Sequence, residues 1–319
     1  MNTDITIEDI RGAAERIQGI AHRTPVFTSG TFDKLAGSGV FFKCENFQRG
    51  GAFKIRGAAN FVYSIPKDEL NRGVVSYSSG NHAQAVAIAA ASVNIPATIV
   101  MPADAPKSKL EATRGYGAKV VTYDRMLGSR ETIGRKIAED TGATLVPPYD
   151  HPWTIAGQGT AALELLEEVP DLDTLIVCIG GGGLISGCAI AAKALSPNIR
   201  IFGVEPADAN DTYLSVRAGS RVEIPMPLTV ADGLRATKPG ELTFPIIQKH
   251  VEDVVLVSDK EIRETMRFLL TRMKMLVEPS GAVAAAALFH HKLPESLGKT
   301  GVIVSGGNVD LEFFQTIWD

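Results

Sequence analysis

Leu175-Ile-Val-Cys-Ile-Gly-Gly-Gly-Gly-Leu184 is the stretch that decides how this chain folds. Residues 175–179 form an unbroken apolar run, the pattern of a strand covered on both faces of a parallel sheet. Gly180, Gly181, Gly182 and Gly183 follow, and residues 184–195 carry the pattern of a helix. A strand–glycine–helix turn directs several backbone N–H groups and a helix N-terminus at one point, an arrangement that binds phosphate. It is not the G-x-G-x-x-G dinucleotide signature, and no Gly-Lys-Ser/Thr follows as in a nucleotide P-loop. The alternative is a tight turn that only brings helix and sheet close together.

Outward from this turn, short β-branched runs alternate with longer helical patterns. Strands are predicted at 40–43, 74–77, 98–101, 119–123, 144–146, 175–179, 201–204, 254–257 and 301–304. Helices are predicted near 7–19, 55–64, 82–93, 107–116, 129–140, 155–168, 184–195, 260–272 and 280–291. The rhythm is that of an α/β protein with doubly wound sheets. Two sheets are expected, a larger one in a domain made of residues 1–72 and 148–319 and a smaller one in an inserted domain, 73–147. Pro147-Pro148 stiffens the exit from the insertion. A small-molecule site is expected in the cleft between the two.

At 319 residues, 45% apolar and 21% charged, the composition is that of an ordinary globular protein. A formal charge of −4 gives no reason to expect nucleic acid or an anionic membrane as partner. Cys44, Cys178 and Cys188 share no metal-type spacing and are expected as reduced, buried thiols. The N-terminus has neither the basic start nor the apolar core of an export signal, and no stretch suits a spanning helix, so a cytoplasmic location is expected.

Three anchors stand out for chemistry. Lys54 lies in Phe47-Gln-Arg-Gly-Gly-Ala-Phe-Lys-Ile-Arg-Gly57, the glycine turn is at 180–183, and Ser305 ends the strand 301–304 and precedes Gly306-Gly-Asn308. An amine, a phosphate-sized turn and a hydroxyl suit one flat, phosphorylated aldehyde, pyridoxal 5′-phosphate. A hydroxyl against the ring nitrogen leaves that nitrogen largely unprotonated, which favours eliminations over reactions that need a long-lived carbanion. Ser78-Ser79-Gly80-Asn81-His82 occupies the same strand-to-helix position in the smaller unit, where free N–H groups and short polar side chains suit a carboxylate. A plain helix cap by Ser or Asn is the alternative there. Turn chemistry is the alternative at Ser305.

These motifs, with Glu205-Pro206, Ala231-Asp-Gly233 and the order in which all of them occur, resemble the fold-type II pyridoxal-phosphate enzymes. Within that group, whose fold is that of the tryptophan synthase β-subunit, the chain is similar to the serine/threonine dehydratases and serine racemases. The resemblance implies that Lys54 attaches covalently to the cofactor, with Phe53 beside the ring. It implies that Asn81 binds the phenolic oxygen, Gly180, Gly181, Gly182, Gly183 and Leu184 the phosphate, and Ser305 the pyridine nitrogen, with Gly233 lining the site. Ser79 would be a second acid/base facing Lys54. Ser78, Ser79, Gly80 and His82 would hold the substrate carboxylate. Glu205, the Ala209 carbonyl and Asp211 resemble divalent-cation ligands, an oxygen set suited to Mg²⁺, with Mn²⁺ or Ca²⁺ as alternatives. A homodimer is also implied.

Many relatives of this kind have Gly-Ser-Phe-Lys where this chain has Gly51-Ala52-Phe53-Lys54. With Cys44-Glu-Asn-Phe-Gln-Arg49 before it, the motif is closer to the 3-hydroxyaspartate ammonia-lyases. Arg130 falls where the racemases have an arginine able to reach a second carboxylate, a task suited to a guanidinium; a helix-surface charge is the alternative. The expected activity is conversion of 3-hydroxyaspartate to oxaloacetate and ammonia by α-proton abstraction and β-hydroxyl elimination, and serine/threonine dehydration with or without racemisation is the alternative.

Overall fold

The computed structural model describes residues 4–78, 80–105, 107–124 and 129–318, with 107–109 as backbone only. Among these residues lie strands β1 (Val26–Phe27), β2 (Val40–Cys44), β3 (Val74–Tyr77), β4 (Ala97–Pro102) and β5 (Lys119–Tyr123). They are followed by β6 (Thr144–Leu145), β7 (Thr174–Cys178), β8 (Arg200–Pro206), β9 (Asp253–Val257) and β10 (Thr300–Val304). One sheet has the order β1-β2-β10-β7-β8-β9 and the other β5-β4-β3-β6. All pairings are parallel except that of the short edge strand β1 with β2. The chain thus leaves the larger sheet after β2, builds the smaller one, and returns at β7.

Every residue of β7 and of β10 is buried, which is why both read as continuous apolar runs. Val302 of β10 stands between Phe42 and Ile176, at the centre of the larger sheet. Helices cover the faces and begin where the sequence supplies caps. Thr6 with Asp9 and Ser258 with Glu261 form capping boxes, and Pro152 opens Pro152–Glu168 while the His151 side chain accepts from the Trp153 N–H. Helices not expected from the sequence are Gly30–Ala36, Lys67–Leu70, Asp211–Ala218, Thr243–His250 and Phe313–Thr316.

Two hydrophobic cores result. One surrounds the larger sheet. The other joins Val74, Ile99 and Met101 to Ile55, Phe61 and Val62 from helix Lys54–Ser64. The helix that begins at Lys54 is therefore clamped by the smaller sheet's core. A buried charge cluster fixes the same helix from its other side. Arg56, 0% exposed, donates to Glu45 through Nε (2.7 Å) and Nη2 (2.8 Å), and to Glu164 at 2.7 and 2.8 Å. Lys43 Nζ pairs with Glu164 at 2.6 Å and donates to the Thr24 carbonyl at 2.7 Å.

The three cysteines are free and buried. Among the described residues no helix is long and apolar enough to cross a membrane.

Candidate active site

The C-terminal ends of β10, β7 and β3 open toward one crevice, as parallel α/β sheets do. Ser305 follows β10, the glycine turn follows β7 and Ser78 follows β3. The segment carrying Lys54 is stitched to the end of β10: the Phe53 N–H donates to the Ser305 carbonyl (3.0 Å) and the Gly307 N–H to the Gly51 carbonyl (2.8 Å). Lys54 is the first residue of its helix, is half-buried, and donates from Nζ to the Pro148 carbonyl at 2.9 Å. Burial pushes its amine down to about 8, against the opposing pull of Cys178 and Glu278. Nζ also stands 5.0 Å from the centre of the Phe53 ring.

In the glycine turn, the N–H groups of Gly181, Gly182, Gly183 and Leu184 have no acceptor among the described residues. They open the helix Gly183–Leu195, so an anion there meets both free donors and the helix dipole. The turn is held from outside, where Thr243 Oγ1 donates to the Gly181 carbonyl at 2.8 Å. A Cβ at Gly181 would come within 2.4 Å of the Tyr149 ring, so only glycine lets that ring approach. The next residue, Asp150, accepts from the N–H groups of Glu241 (2.8 Å), Leu242 (2.9 Å) and Thr243 (3.3 Å). Residues 147–150 therefore touch both the lysine and the glycine turn.

Gly233 lies beside Gly180, and its N–H donates to Ser280 Oγ at 3.0 Å. Ser305 Oγ donates to the Ser280 carbonyl at 3.3 Å and also bonds the Cys178 thiol, which burial pushes up to about 11. Asn81 donates to Glu278 at 2.7 Å. His82, 2% exposed, donates from Nε2 to the Val146 carbonyl at 3.2 Å, which leaves Nδ1 a buried acceptor without a partner among the described residues. Burial, and then the charge of Lys54, push this imidazole down to about 3, so the ring stays neutral. Ser78 Oγ accepts from the Gly80 N–H at 3.3 Å. Ser79 lies outside the described residues.

Lys54, Phe53, Asn81, Ser305, Gly233 and the glycine turn thus share one crevice. Arg130, its Nε on Glu131 at 2.9 Å, lines a cavity of about 670 Å³ together with Tyr77, Pro148, Tyr149 and Arg221. Glu205 belongs to β8, and Asp211 opens the helix Asp211–Ala218 that follows it. Glu205 accepts from the N–H groups of Thr212 (3.1 Å) and Tyr213 (2.7 Å), and neither carboxylate oxygen of the fully buried Asp211 has a hydrogen-bond partner among the described residues. Burial and then Asp211 push Glu205 up, and burial pushes Asp211 up to about 7. Among the described residues no group of three or more His, Cys, Asp or Glu side chains is placed to hold a metal ion. The sequence reading did not single out Glu278, Ser280, Tyr149, Asp150 or Thr243. The Glu278-Pro-Ser280 run at a helix start was the one local sign of Ser280 and Glu278.

The family model described as "Pyridoxal-phosphate dependent enzyme" matches residues 17–306. An L-threo-3-hydroxyaspartate ammonia-lyase of a Pseudomonas species is 52% identical over 309 residues, covering 97% of both chains. A serine racemase of Schizosaccharomyces pombe is 49% identical, covering 96% of this chain and 95% of its own. The solved structure of maize serine racemase superposes with a TM-score of 0.94 at 46% identity, covering 98% and 97% of the two chains. The parallel two-sheet architecture, with residues 147–150 linking Lys54 to the glycine turn, accords with that match, and the chain belongs to the pyridoxal-phosphate-dependent enzymes.

Proposed function

We propose that this chain is an ammonia-lyase that converts 3-hydroxyaspartate to oxaloacetate and ammonia. The observation that carries the chemistry is a half-buried amine, Lys54, tied through Phe53 to the Ser305 turn and through residues 148–149 to a glycine loop whose N–H groups have no acceptor among the described residues. The substrate rests on the 52%-identical relative that bears this activity in its name. The residues present fit the cofactor: free donors for its phosphate, an amine for its aldehyde, and a hydroxyl for its ring nitrogen.

When bound, pyridoxal phosphate supplies the electron sink that acidifies the substrate's Cα–H. Lys54 would hold the cofactor by its aldehyde, and its amine would move the substrate's α-proton. At pH 8 half of such an amine is neutral, whereas an ordinary lysine, at 10.5, is almost wholly charged. Gly180, Gly181, Gly182, Gly183 and Leu184 bind the phosphate, Asn81 the phenolic oxygen, and Ser305 the pyridine nitrogen. Phe53 packs beside the ring and Gly233 lines its site. Ser78, Ser79, Gly80 and His82 receive the substrate carboxylate, and Ser79 serves as the second acid/base. The β-hydroxyl leaves as water and one water is taken up on product release, so oxaloacetate and ammonia account for every atom. Residues 73–147 act as the smaller domain that closes over the substrate, in a cytoplasmic homodimer.

The racemase relatives favour a second reading, serine/threonine dehydration with or without racemisation. Comparing kcat/KM of the purified holoenzyme for 3-hydroxyaspartate, serine and threonine separates the two, and a preference for serine or threonine would overturn the first. Arg130 is proposed to bind the second carboxylate. Arg130→Ala is expected to cost about ten- to a hundredfold in kcat/KM for 3-hydroxyaspartate, the worth of a charged hydrogen bond, and little for serine. An equal loss for both substrates removes that role.

Glu205, the Ala209 carbonyl and Asp211 are proposed to hold Mg²⁺, Mn²⁺ or Ca²⁺. Two buried carboxylates, one without a hydrogen-bond partner among the described residues, are costly unless a cation offsets them. A chelator is expected to lower the melting temperature and added Mg²⁺ to restore it. No change with chelator would exclude the site.

A further inference from the structure

Asn308 ends the Ser305-Gly-Gly-Asn run, and its side chain reaches back across the crevice. Nδ2 donates to the Gly50 carbonyl at 2.6 Å and to Asn81 Oδ1 at 3.0 Å. Two acceptors use both N–H bonds, so this amide has no second orientation that satisfies its surroundings. Asn81 must then turn its oxygen toward Asn308 and its nitrogen the other way. There Glu278, 3% exposed, accepts at 2.7 Å. Asn308 thus donates both to Gly50 and to Asn81, and Asn81 donates onward to the Glu278 carboxylate, which fixes the orientation of both amides. One N–H of Asn81 is consumed, and the other has no acceptor among the described residues.

Room for this arrangement is made next to Lys54. Gly51 has φ +73°, and a Cβ there would lie 2.1 Å from Asn308 Oδ1. The two glycines before the lysine and the asparagine after Ser305 are thus parts of one device. Glu278 closes it from the start of helix Pro279–Phe289.

We propose that Glu278 and Asn308 are positioning residues that lock the Asn81 amide with one N–H bond held toward the cofactor's phenolic oxygen. This rests on the role proposed for Asn81 above. Without the lock, an isolated amide presents nitrogen or oxygen to the ring with little preference, and the oxygen would repel a phenolate. Gly50 stands four residues before Lys54, so the lock also holds the amide and the lysine in one frame.

The test uses holoenzyme carrying Asn81→Ala, Glu278→Ala, Glu278→Gln, Asn308→Ala and the Asn81→Ala/Asn308→Ala pair. Cofactor dissociation constants and the visible absorbance of the bound chromophore are read. Glu278→Ala and Asn308→Ala are each expected to weaken pyridoxal phosphate binding about tenfold, one lost hydrogen bond. Both should shift intensity from the long-wavelength to the short-wavelength band, the effect also expected of Asn81→Ala. The pair should be no worse than Asn81→Ala alone, because a lock without its amide does nothing. Glu278→Gln keeps a carbonyl acceptor and should keep the parent spectrum. Unchanged spectra and affinities in Glu278→Ala and Asn308→Ala, or additive losses in the pair, overturn the proposal. An unperturbed Asn81→Ala instead removes the role of Asn81 itself. If Glu278→Ala does not fold, Asn308→Asp, which cannot donate to Gly50 or Asn81, reads the same link.

Discussion

Lys54→Ala is expected to lower turnover by about 10⁴-fold or more, the upper range for one positioned proton-transfer group, and to remove the imine absorbance of the holoenzyme. The reason is that one amine does two tasks, holding the aldehyde and moving the α-proton. The amine is suited to both because burial lowers it to about 8. Capture of added pyridoxal phosphate by cofactor-free parent protein should therefore speed up with pH and level off above about 8, since only the neutral amine attacks. Stopped-flow absorbance measures that profile. A midpoint near the ordinary 10.5 would show that burial does not tune the amine. Retained turnover and imine absorbance in Lys54→Ala would remove the mechanism.

The second large effect lies two residues away, in Arg56. Glu45→Ala strips this fully buried guanidinium of two hydrogen bonds and leaves charge without its counterpart. Breaking such a pair costs about 3–5 kcal/mol, read as a fall in the urea midpoint of unfolding. A loss under about 1 kcal/mol would show that Glu164 alone can hold Arg56. The pH dependence follows from Glu45. Burial alone pushes its carboxyl up, but the charge and hydrogen bonds of Arg56 outweigh this and hold it below its ordinary 4.5. A depressed acid stabilises the fold above its unfolded value and loses that contribution as pH falls through its folded value. The parent should thus lose stability below about pH 4.5 more steeply than Glu45→Gln does.

What the sequence made legible follows from what is local. A strand buried on both faces writes itself as an unbroken apolar run, so β7 and β10 could be read directly, and the glycines after β7 identified the turn. The parallel two-sheet architecture followed from the alternation. β1 was hidden because it has two residues, half-exposed, and exists only through its pairing with β2. Helices Asp211–Ala218 and Thr243–His250 are short, and their packing rather than their pattern defines them. Within the site, Lys54, Asn81 and Ser305 sit in motifs with their own local signature. Glu278 does not: one acid before a proline looks like any helix start. Its meaning comes from Asn81, 197 residues away in the chain. The same holds for Arg56, whose partner Glu164 is 108 residues distant.

Residues 147–150 are attached at three consecutive points: the Pro148 carbonyl to Lys54, the Tyr149 ring to Gly181, and the Asp150 carboxylate to the amides of Glu241, Leu242 and Thr243. Surface connections elsewhere absorb an added or deleted residue at small entropic cost. Here a single insertion would slide all three attachments out of phase together. The junction's length is therefore far less negotiable than the identity of most of its side chains, and a graft or circular permutation of this scaffold must leave its spacing intact.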